Sequence, residues 1–417
     1  MREVYKNRNV RAILLSSIFN SLGFSILWFS TTWLVYALGG SNTDLGLILG
    51  IGSLMSILAS ILASYLADMF RKDFIILPSI GIMLLGTIFL VTASDLIDVF
   101  IGQILVSIGG GGSAPTINAL FSDSLNTDER TRVFGTQFLL SEISNSFGGV
   151  LGFFFFAGMT ADNIDSLDSS LIKQFISIST GSFLIVLLIG LMFLRDRHVL
   201  SEQEEKSKKN LIEISVSHSR KVIALSLLSG LLIGFGAGFT IPYLPRFFFD
   251  VYKINLSNLS ILMAGVSIFT AVWGKFNANL AERFGRIQLI VLNQMISVLL
   301  LLLLSTYPPV LLAFSVLVIR NAVMNGVGPI ANSILMEYTP RQSRSKVSAI
   351  NQVSWQVLFS VGNILGGWTV DNLGFRVPIL TTAAFYFVST LLFWQMKGIV
   401  DISPHSIKND MVVFKSK

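Results

Sequence analysis

Long apolar stretches recur along the chain, and they constrain its fold more than any other feature. A helix needs about 20 apolar residues to cross a hydrocarbon core of about 30 Å. Twelve runs of about that length lie near 11–37, 43–67, 74–93, 96–121, 133–158, 172–194, 221–249, 256–281, 287–305, 308–337, 346–371 and 377–397. Because the runs are continuous and do not alternate, they predict transmembrane helices rather than the strands of a barrel.

The composition supports this prediction. Charged residues make up 13% of the chain, whereas a soluble protein of similar size has about 25%. The chain contains no cysteine, which excludes disulfides, thiolate metal ligands and a cysteine nucleophile. The three histidines, His198, His218 and His405, all lie in polar segments, which argues against a buried metal site. We therefore expect no metal, no cofactor and no enzymatic activity, since no nucleophile–base or metal cluster stands out.

The basic residues indicate how the helices are oriented. Of the 30 lysines and arginines, 24 fall in the two termini and in the loops on the same side as the termini. Only Lys173, Arg246, Lys253 and Arg376 fall on the other side. The positive-inside rule then predicts a multi-pass protein of the cell membrane with both termini in the cytoplasm. The bias also accounts for the net charge of +6, so nucleic acid is not an expected partner.

A polar segment divides the spans six and six. Residues 195–220 carry mixed charges and predict a cytoplasmic linker. The predicted domains are an N-terminal six-helix bundle at 1–194, this linker, a C-terminal six-helix bundle at 221–397 and a cytoplasmic tail at 398–417. The first apolar run is too long for a signal peptide, so we expect it to remain as the first span.

The two sets of six helices repeat at an offset of 214 residues. The segment 66–70 aligns with 280–284, and Gly148 and Gly152 align with Gly362 and Gly366. Four further positions also match, namely Pro115, Asn118, Asp123 and Arg130 with Pro329, Asn332, Glu337 and Arg344. Six helices per copy give the copies the same membrane orientation, which predicts a substrate site between the halves near the midplane.

These segments resemble the major facilitator superfamily. Its motif between spans two and three reads G-x-L-a-D-R-x-G-R-K, and residues 278–286 are similar to it, with alanine for the first glycine and glutamate for aspartate. The first copy, at 64–72, lacks both glycines and the first arginine. The resemblance implies an all-α membrane fold of twelve transmembrane helices in two pseudo-symmetric six-helix bundles. It also implies secondary transport by alternating access.

The motif suggests a cytoplasmic latch in which acids at helix ends pair with arginines or with a neighbouring helix N-terminus. Contacts that form in one conformation and break in the other bias the transport equilibrium. The predicted gating residues are Asp68, Arg71, Asp123, Arg130, Glu282, Arg283, Arg286, Glu337 and Arg344. For Arg71, Lys72 and Arg341, ordinary positive-inside anchoring is an equally good interpretation.

Three ionisable residues lie within predicted spans: Glu142, Lys275 and Arg320. Charges at this depth are candidates for function. Glu142 lies about 15 Å along its helix from Arg132, and Arg320 about 16 Å from Pro309. We expect Glu142 to carry a proton or bind substrate, and the alternative is a structural hydrogen bond or an ion pair with Arg320. Arg320 is expected either to bind an anionic group or to neutralise an acid, and Lys275 to extend toward the cytoplasmic surface.

Polar and aromatic residues on the same or neighbouring spans complete the predicted site. These are Asn20, Trp28, Gln137, Asn145, Tyr243, Asn325, Gln352 and Gln356. For the aromatic residues the alternative is packing or interfacial anchoring. We interpret the phenylalanine-rich segments as lipid-facing or packing surface. Pro242 and Pro245 are expected to bend the seventh span.

The run Gly148-Gly149-Val150-Leu151-Gly152 resembles part of the G-P-x-x-G-G signature of efflux members of the family, with glycine for proline. No phosphate-binding loop is present, which argues against direct use of ATP. The sequence therefore predicts a proton-coupled, efflux-like transporter of a small solute that works as a monomer in the bilayer. The alternatives are uptake of a small organic solute or anion, and a membrane sensor that has lost transport.

Overall fold

The computed structural model describes residues 7–125, 127–158, 167–194, 216–339 and 344–400, and it is built of helices throughout these ranges. The N-terminal half contains six long helices. These are α1 (Arg8–Ala37), α2 (Asn42–Met69), α3 (Asp73–Thr92), α4 (Leu96–Asp123), α5 (Thr127–Phe155) and α6 (Ser169–Phe193).

The C-terminal half follows the same plan with two spans broken. Its helices are α7 (Val216–Thr240), α8 (Leu244–Tyr252), α9 (Leu256–Phe284), α10 (Arg286–Leu304), α11 (Val310–Asn325), α12 (Gly328–Tyr338), α13 (Arg344–Leu373), α14 (Arg376–Trp394) and α15 (Lys397–Val400). A 3-10 turn, Ile241–Tyr243, separates α7 from α8. Pro242 and Pro245 at this break lack the backbone N–H that an α-helix needs, as expected from the sequence. The break between α11 and α12 at Gly326 was not predicted.

Eleven segments in the described part of the chain are long and apolar enough to cross a membrane. The eleventh predicted span, α13, is not among them, because Asn351, Gln352, Gln356 and Asn363 dilute its apolar character. Its 30 residues nevertheless make a helix about 45 Å long. Since α13 packs along both α2 and α7, it completes the predicted set of twelve transmembrane helices.

The two halves use the same packing scheme. In the first, α1 packs on α5 and α6, while α3 packs on α4 and α6. In the second, α7 packs on α13 and α14, while α10 packs on α11 and α14. Equivalent helices therefore occupy equivalent places, which confirms two pseudo-symmetric six-helix bundles. Residues 195–215 of the predicted linker and 401–417 of the predicted tail lie outside the described residues.

The repeat extends to the helix caps. Ser41 caps α2 by accepting a hydrogen bond from the backbone N–H of Asp44 at 3.1 Å. Asn255, which lies 214 residues later, caps α9 by accepting from the backbone N–H of Asn258 at 2.9 Å. A capping side chain satisfies backbone N–H groups that have no partner within the helix. Both helices thus begin at a fixed point on the side of the membrane away from the termini, which we call the opposite side.

Candidate functional site

The two halves meet along two seams, α2 with α13 and α5 with α9. A Cβ atom added at Gly46 would lie 2.5 Å from the Asn363 carbonyl oxygen, and one added at Gly149 would lie 2.5 Å from the Ser260 carbonyl oxygen. Only glycine permits so close an approach of two helices. Adding 214 to Gly46 and Gly149 gives Ser260 and Asn363, so the seams are pseudo-symmetric copies of each other.

A carboxylate from one half caps a helix of the other at the opposite side. The Asp371 carboxylate accepts hydrogen bonds from the Asn42 amide at 2.7 Å and from the backbone N–H and hydroxyl of Thr43 at 2.7 and 2.6 Å. These donors lie in the first turn of α2, where the helix dipole favours negative charge. Asp371 therefore ties the end of α13 to the start of α2.

Aromatic contacts reinforce this closure. The Arg246 guanidinium lies 4.4 Å from the ring centre of Tyr36 in the other half, and it pairs with Asp250 at 2.6 Å. The rings of Trp33 and Phe249, also from different halves, are 5.1 Å apart. These contacts lie at the opposite-side ends of α1 and α8. The opposite side is thus closed by packed rings and hydrogen bonds between the halves.

A cavity of about 400 Å³ lies between the halves, next to the α5–α9 seam, and Gly149 and Ser260 of that seam form part of its wall. Its N-terminal wall consists of Phe24, Ser25, Ile26, Trp28, Phe29, Asn145, Gly148, Gly149 and Phe175. Its C-terminal wall consists of Ile241, Leu244, Pro245, Ser260, Met263, Val266, Ser267, Leu317 and Asn321. No residue in this lining carries a charge. Apolar and aromatic walls with a few polar groups are typical of sites for small organic molecules.

Two of the polar and aromatic residues predicted to complete the site, Trp28 and Asn145, lie on the cavity wall. Tyr243 was expected to face the cavity, but it is 1% exposed and its hydroxyl donates to the Asn363 carbonyl within the C-terminal half. Tyr243 therefore forms part of the α2–α13 seam, since a Cβ atom added at Gly46 would lie 2.7 Å from its hydroxyl oxygen.

The remaining polar candidates lie outside the cavity wall. Asn20 and Gln137 are half-buried on α1 and α5, Gln356 is half-buried on α13, and Gln352 and Asn325 are exposed. The side of the membrane at which the termini lie is called the terminal side, and Asn20, Gln137 and Asn325 lie nearer to it along their helices than the cavity-lining residues do.

Glu142 lies one helical turn from the cavity. It is half-buried on α5, and its carboxylate accepts a hydrogen bond from the side chain of Asn145. Asn145 itself faces the cavity. Glu142 is thus connected to the cavity through a single amide.

Arg320 lies behind the cavity wall rather than in it. It is 3% exposed, donates to the Tyr386 hydroxyl at 2.8 Å and lies over the Tyr386 ring. It also donates to the Asn321 side-chain oxygen at 3.3 Å, and Asn321 lines the cavity. Among the described side chains, Arg320 is thus held by Tyr386 and Asn321 and not by an ion pair with Glu142.

The structure brings together two of the predicted gating residues. Arg286 at the start of α10 forms an ion pair with Glu337 on α12, which joins two helices of the same half. Arg71 pairs with Asp73 at 2.6 Å, at the start of α3, and Arg283 is exposed at the end of α9. The side chains of Asp68, Asp123, Arg130, Lys275, Glu282 and Arg344 lie outside the described part of the protein.

Sequence reasoning missed the opposite-side closure and the aromatic wall. Asp371 and Asn42 lie near helix ends, where polar residues are ordinary, and the contact between them joins distant parts of the chain. Phe24, Phe29 and Phe175 stand singly within apolar spans, and no motif in the sequence singled them out. A strongly apolar helix does not reveal which of its faces points inward.

Comparison with known proteins identifies the family. The sequence pattern of the Major Facilitator Superfamily matches residues 13–324 and 226–406, which together cover most of the chain. The chain belongs to the major facilitator superfamily. This confirms the resemblance seen in its motifs, and it establishes a multi-pass membrane protein of a transporter family.

Curated superfamily relatives match only part of the chain. Multidrug resistance protein 2 of Bacillus subtilis is 23% identical over 175 residues, which are 42% of this chain and 43% of that protein. The cis,cis-muconate transport protein of Acinetobacter baylyi is 30% identical over 157 residues, which are 34% of this chain and 37% of that protein. The matches thus span about two fifths of the length of these relatives.

Solved structures of superfamily members share the fold over nearly the whole chain. A D-xylose–proton symporter superposes with a TM-score of 0.74 at 14% identity, covering 93% of this chain and 98% of its own. The nucleoside transporter NupG superposes with a TM-score of 0.70 at 12% identity, covering 93% and 98%. These structures confirm the all-α membrane fold of the superfamily.

Proposed function

We propose that this protein is a proton-coupled secondary transporter that exports a small solute by alternating access. The observation that carries the proposal is the cavity between the two halves, together with the contacts between the halves that close the opposite side. In a parallel repeat of this kind, the halves rock about a site at their interface. The seams are pseudo-symmetric, so one rocking motion can open both together. No cofactor and no second protein chain are part of the proposal.

The orientation of the cavity follows from the charge bias of the loops. The positive-inside rule places the termini in the cytoplasm, so the closed opposite side is the outer face of the membrane. The conformation described here is then inward-facing, ready to load a solute from the cytoplasm or the inner leaflet.

Coupling to protons is assigned to Glu142. A carboxyl group in the membrane interior is retained at a considerable energetic cost, which favours a functional role. Its hydrogen bond to Asn145 links its protonation state to a residue of the cavity wall. The export direction is supported by the glycine run 148–152, which closely approaches α1 and α9, and by the likeness to a protein named for multidrug resistance.

Uptake of an organic anion is the second candidate. It is favoured by Arg320, which lies one residue from the cavity-lining Asn321, and by the likeness to a muconate transport protein. Import by this route requires the Arg320 side chain to leave Tyr386 and enter the cavity.

Solute flux in proteoliposomes tests the proposal. Purified protein is reconstituted, a pH gradient is imposed, and the movement of a panel of neutral, cationic and anionic solutes is followed with and without a protonophore. We expect at least one solute to move against its gradient, driven by the pH gradient and stopped by the protonophore. Flux that ignores the gradient contradicts proton coupling, and the absence of flux for every solute favours the sensor interpretation.

A further inference from the structure

Two asparagines face the cavity from opposite halves of the molecule. Asn145 lies on α5 of the N-terminal half and Asn321 on α11 of the C-terminal half. Each is held from behind by a charged neighbour, Asn145 by Glu142 and Asn321 by Arg320. These contacts determine whether the side-chain oxygen or the side-chain nitrogen of each asparagine remains available to a ligand.

Asn145 presents a hydrogen-bond acceptor. While Glu142 is ionised it has no proton to donate, so in that state the Asn145 amide nitrogen is the donor in its contact with Glu142. The orientation of an asparagine amide is assigned from such a network. The side-chain oxygen of Asn145 therefore remains available to the cavity.

Asn321 presents a hydrogen-bond donor. Its amide nitrogen donates one hydrogen to the Leu317 carbonyl at 2.9 Å, and its oxygen accepts from Arg320 at 3.3 Å. An amide nitrogen carries two hydrogens, so the second is left for a ligand. The positive charge of Arg320 polarises this amide and strengthens the remaining donor.

The walls around the two amides favour a flat apolar body. Phe24, Trp28 and Phe29 from α1 and Phe175 from α6 contribute aromatic rings to the lining, and such rings stack on the rings of a ligand. A charged group in this lining would lose its hydration without gaining an opposite charge, which is strongly unfavourable. The volume of about 400 Å³ lies in the range of sites for drug-sized molecules.

We infer that the cavity binds uncharged aromatic solutes that carry a hydrogen-bond donor and acceptor close together, such as aryl carboxamides, held between Asn145 and Asn321. Glu142 and Arg320 act as positioning residues that orient the two amides. This inference rests on the proposed transport function, because it names the class of solute that the same site carries. A ligand that bridges both asparagines also links the two halves.

Isothermal titration calorimetry on the purified full-length protein tests this inference with two matched probes, 2-naphthamide and 2-naphthoate. They share a ring system and differ in that the first is a neutral amide and the second an anion. We expect 2-naphthamide to bind and 2-naphthoate to bind at least about tenfold more weakly, because its charge is not compensated in the lining. Equal or tighter binding of 2-naphthoate, or no binding of 2-naphthamide, overturns the inference.

Variants then locate the probe. Asn145→Leu and Asn321→Leu are each expected to weaken 2-naphthamide binding about fivefold or more through the loss of a hydrogen bond. Asn372→Leu, at the exposed end of α13, should keep the wild-type affinity. The Glu142→Gln variant retains a hydrogen-bond acceptor for Asn145 and should bind 2-naphthamide with the wild-type affinity. The Glu142→Leu variant lacks this acceptor and should bind 2-naphthamide more weakly. Unchanged affinity in both asparagine variants, each monodisperse on gel filtration, contradicts the assigned site.

The binding measurement is independent of transport. If 2-naphthamide binds with the expected variant pattern but no solute of the panel moves in proteoliposomes, the proposed transport function fails and the site assignment stands. If another solute is transported and 2-naphthamide neither binds nor inhibits it, the site assignment fails and the transport function stands.

Discussion

Glu142 is half-buried and Arg320 is buried, and these two ionisable residues contact different partners and belong to different parts of the proposal. Glu142 lies next to Asn145 on the N-terminal side of the cavity, whereas Arg320 lies behind Asn321 against Tyr386. Their depth in the membrane was predictable from the distance along each helix to its end. That Glu142 and Arg320 do not pair with each other was not predictable, because the depth of a residue does not determine which neighbouring helix its long side chain reaches.

Replacing the carboxyl group of Glu142 tests the coupling directly. Glu142→Gln keeps the size and the acceptor for Asn145 but cannot exchange a proton. We expect solute exchange at equal pH on both sides to remain within about twofold of wild type, since the hydrogen bond is kept, while the response to an imposed pH gradient disappears. Flux in proteoliposomes as a function of pH measures both. A variant that still follows the gradient assigns the proton to another group.

Asn363 is a buried polar residue at the α2–α13 seam. Its side chain is 0% exposed, and both polar atoms of its amide have no hydrogen-bond partner among the described residues. Leaving a polar group buried and unpaired costs about 1–3 kcal/mol. The closed seam is therefore less stable than its close packing suggests, which makes it easier to open.

Leucine at this position should stabilise the closed seam. Asn363→Leu removes the unpaired amide and keeps the same number and branching of side-chain heavy atoms, and we expect a gain of about 1 kcal/mol in the closed state. The melting temperature in detergent should rise and the transport rate should fall, because opening becomes more difficult. Scanning fluorimetry and flux assays measure the two effects. A lower melting temperature together with normal flux contradicts the proposed role of Asn363.

At the scale of helices, the close approach of α5 and α9 depends on a small residue. The Gly149 backbone lies against Ser260 and Ala264 of the other half, so a side chain there would separate the helices. Gly135 lies on the same helix with nothing within 4 Å of an added Cβ atom. The two glycines thus form a matched pair for mutation.

We expect Gly149→Leu to reduce transport at least about tenfold, because steric overlap of this kind costs more than 1 kcal/mol. Gly135→Leu should transport at close to the wild-type rate. Both proteins should reach the membrane in similar amounts, as measured by blotting of membrane fractions, and flux is compared per molecule. Similar flux in the two variants contradicts the role of the α5–α9 seam.

Most helices were predictable from hydropathy, and the exceptions have physical reasons. Eleven segments have the length and apolar character that sequence patterns detect. The polar residues of α13 lower its mean hydropathy, so it does not stand out as a span by that measure. The run 346–371 nevertheless predicted where this span lies. The α7–α8 break follows from Pro242 and Pro245, whereas the break at Gly326 has no comparable signal, since glycine is common within membrane helices.

At the scale of the whole molecule, the repeat at 214 residues predicted more than the fold. The same offset relates the caps of α2 and α9 and also the two seams. Within the seams, Gly46 is equivalent to Ser260, and Gly149 is equivalent to Asn363. The closure at one side was not predictable, because a transporter sequence must stabilise two conformations with similar free energies. Residues such as Asp371, which ties α13 to α2, are recognised only when one of those conformations is described.

The rocking of the two halves is the central claim, and pulsed electron paramagnetic resonance distances test it most directly. The chain has no cysteine, so spin labels attach only at introduced positions. One pair, Ser94→Cys with Thr306→Cys, reports on the opposite side. The other, Phe70→Cys with Phe284→Cys, reports on the terminal side, and all four positions are exposed.

The two distances are measured in lipid nanodiscs while pH is varied and a transported solute is added. Alternating access predicts that they change in opposite directions, with the terminal-side distance shortening as the opposite-side distance lengthens. Distances that stay fixed under conditions that support flux, or that lengthen and shorten together, contradict the proposal that the halves rock about the central cavity.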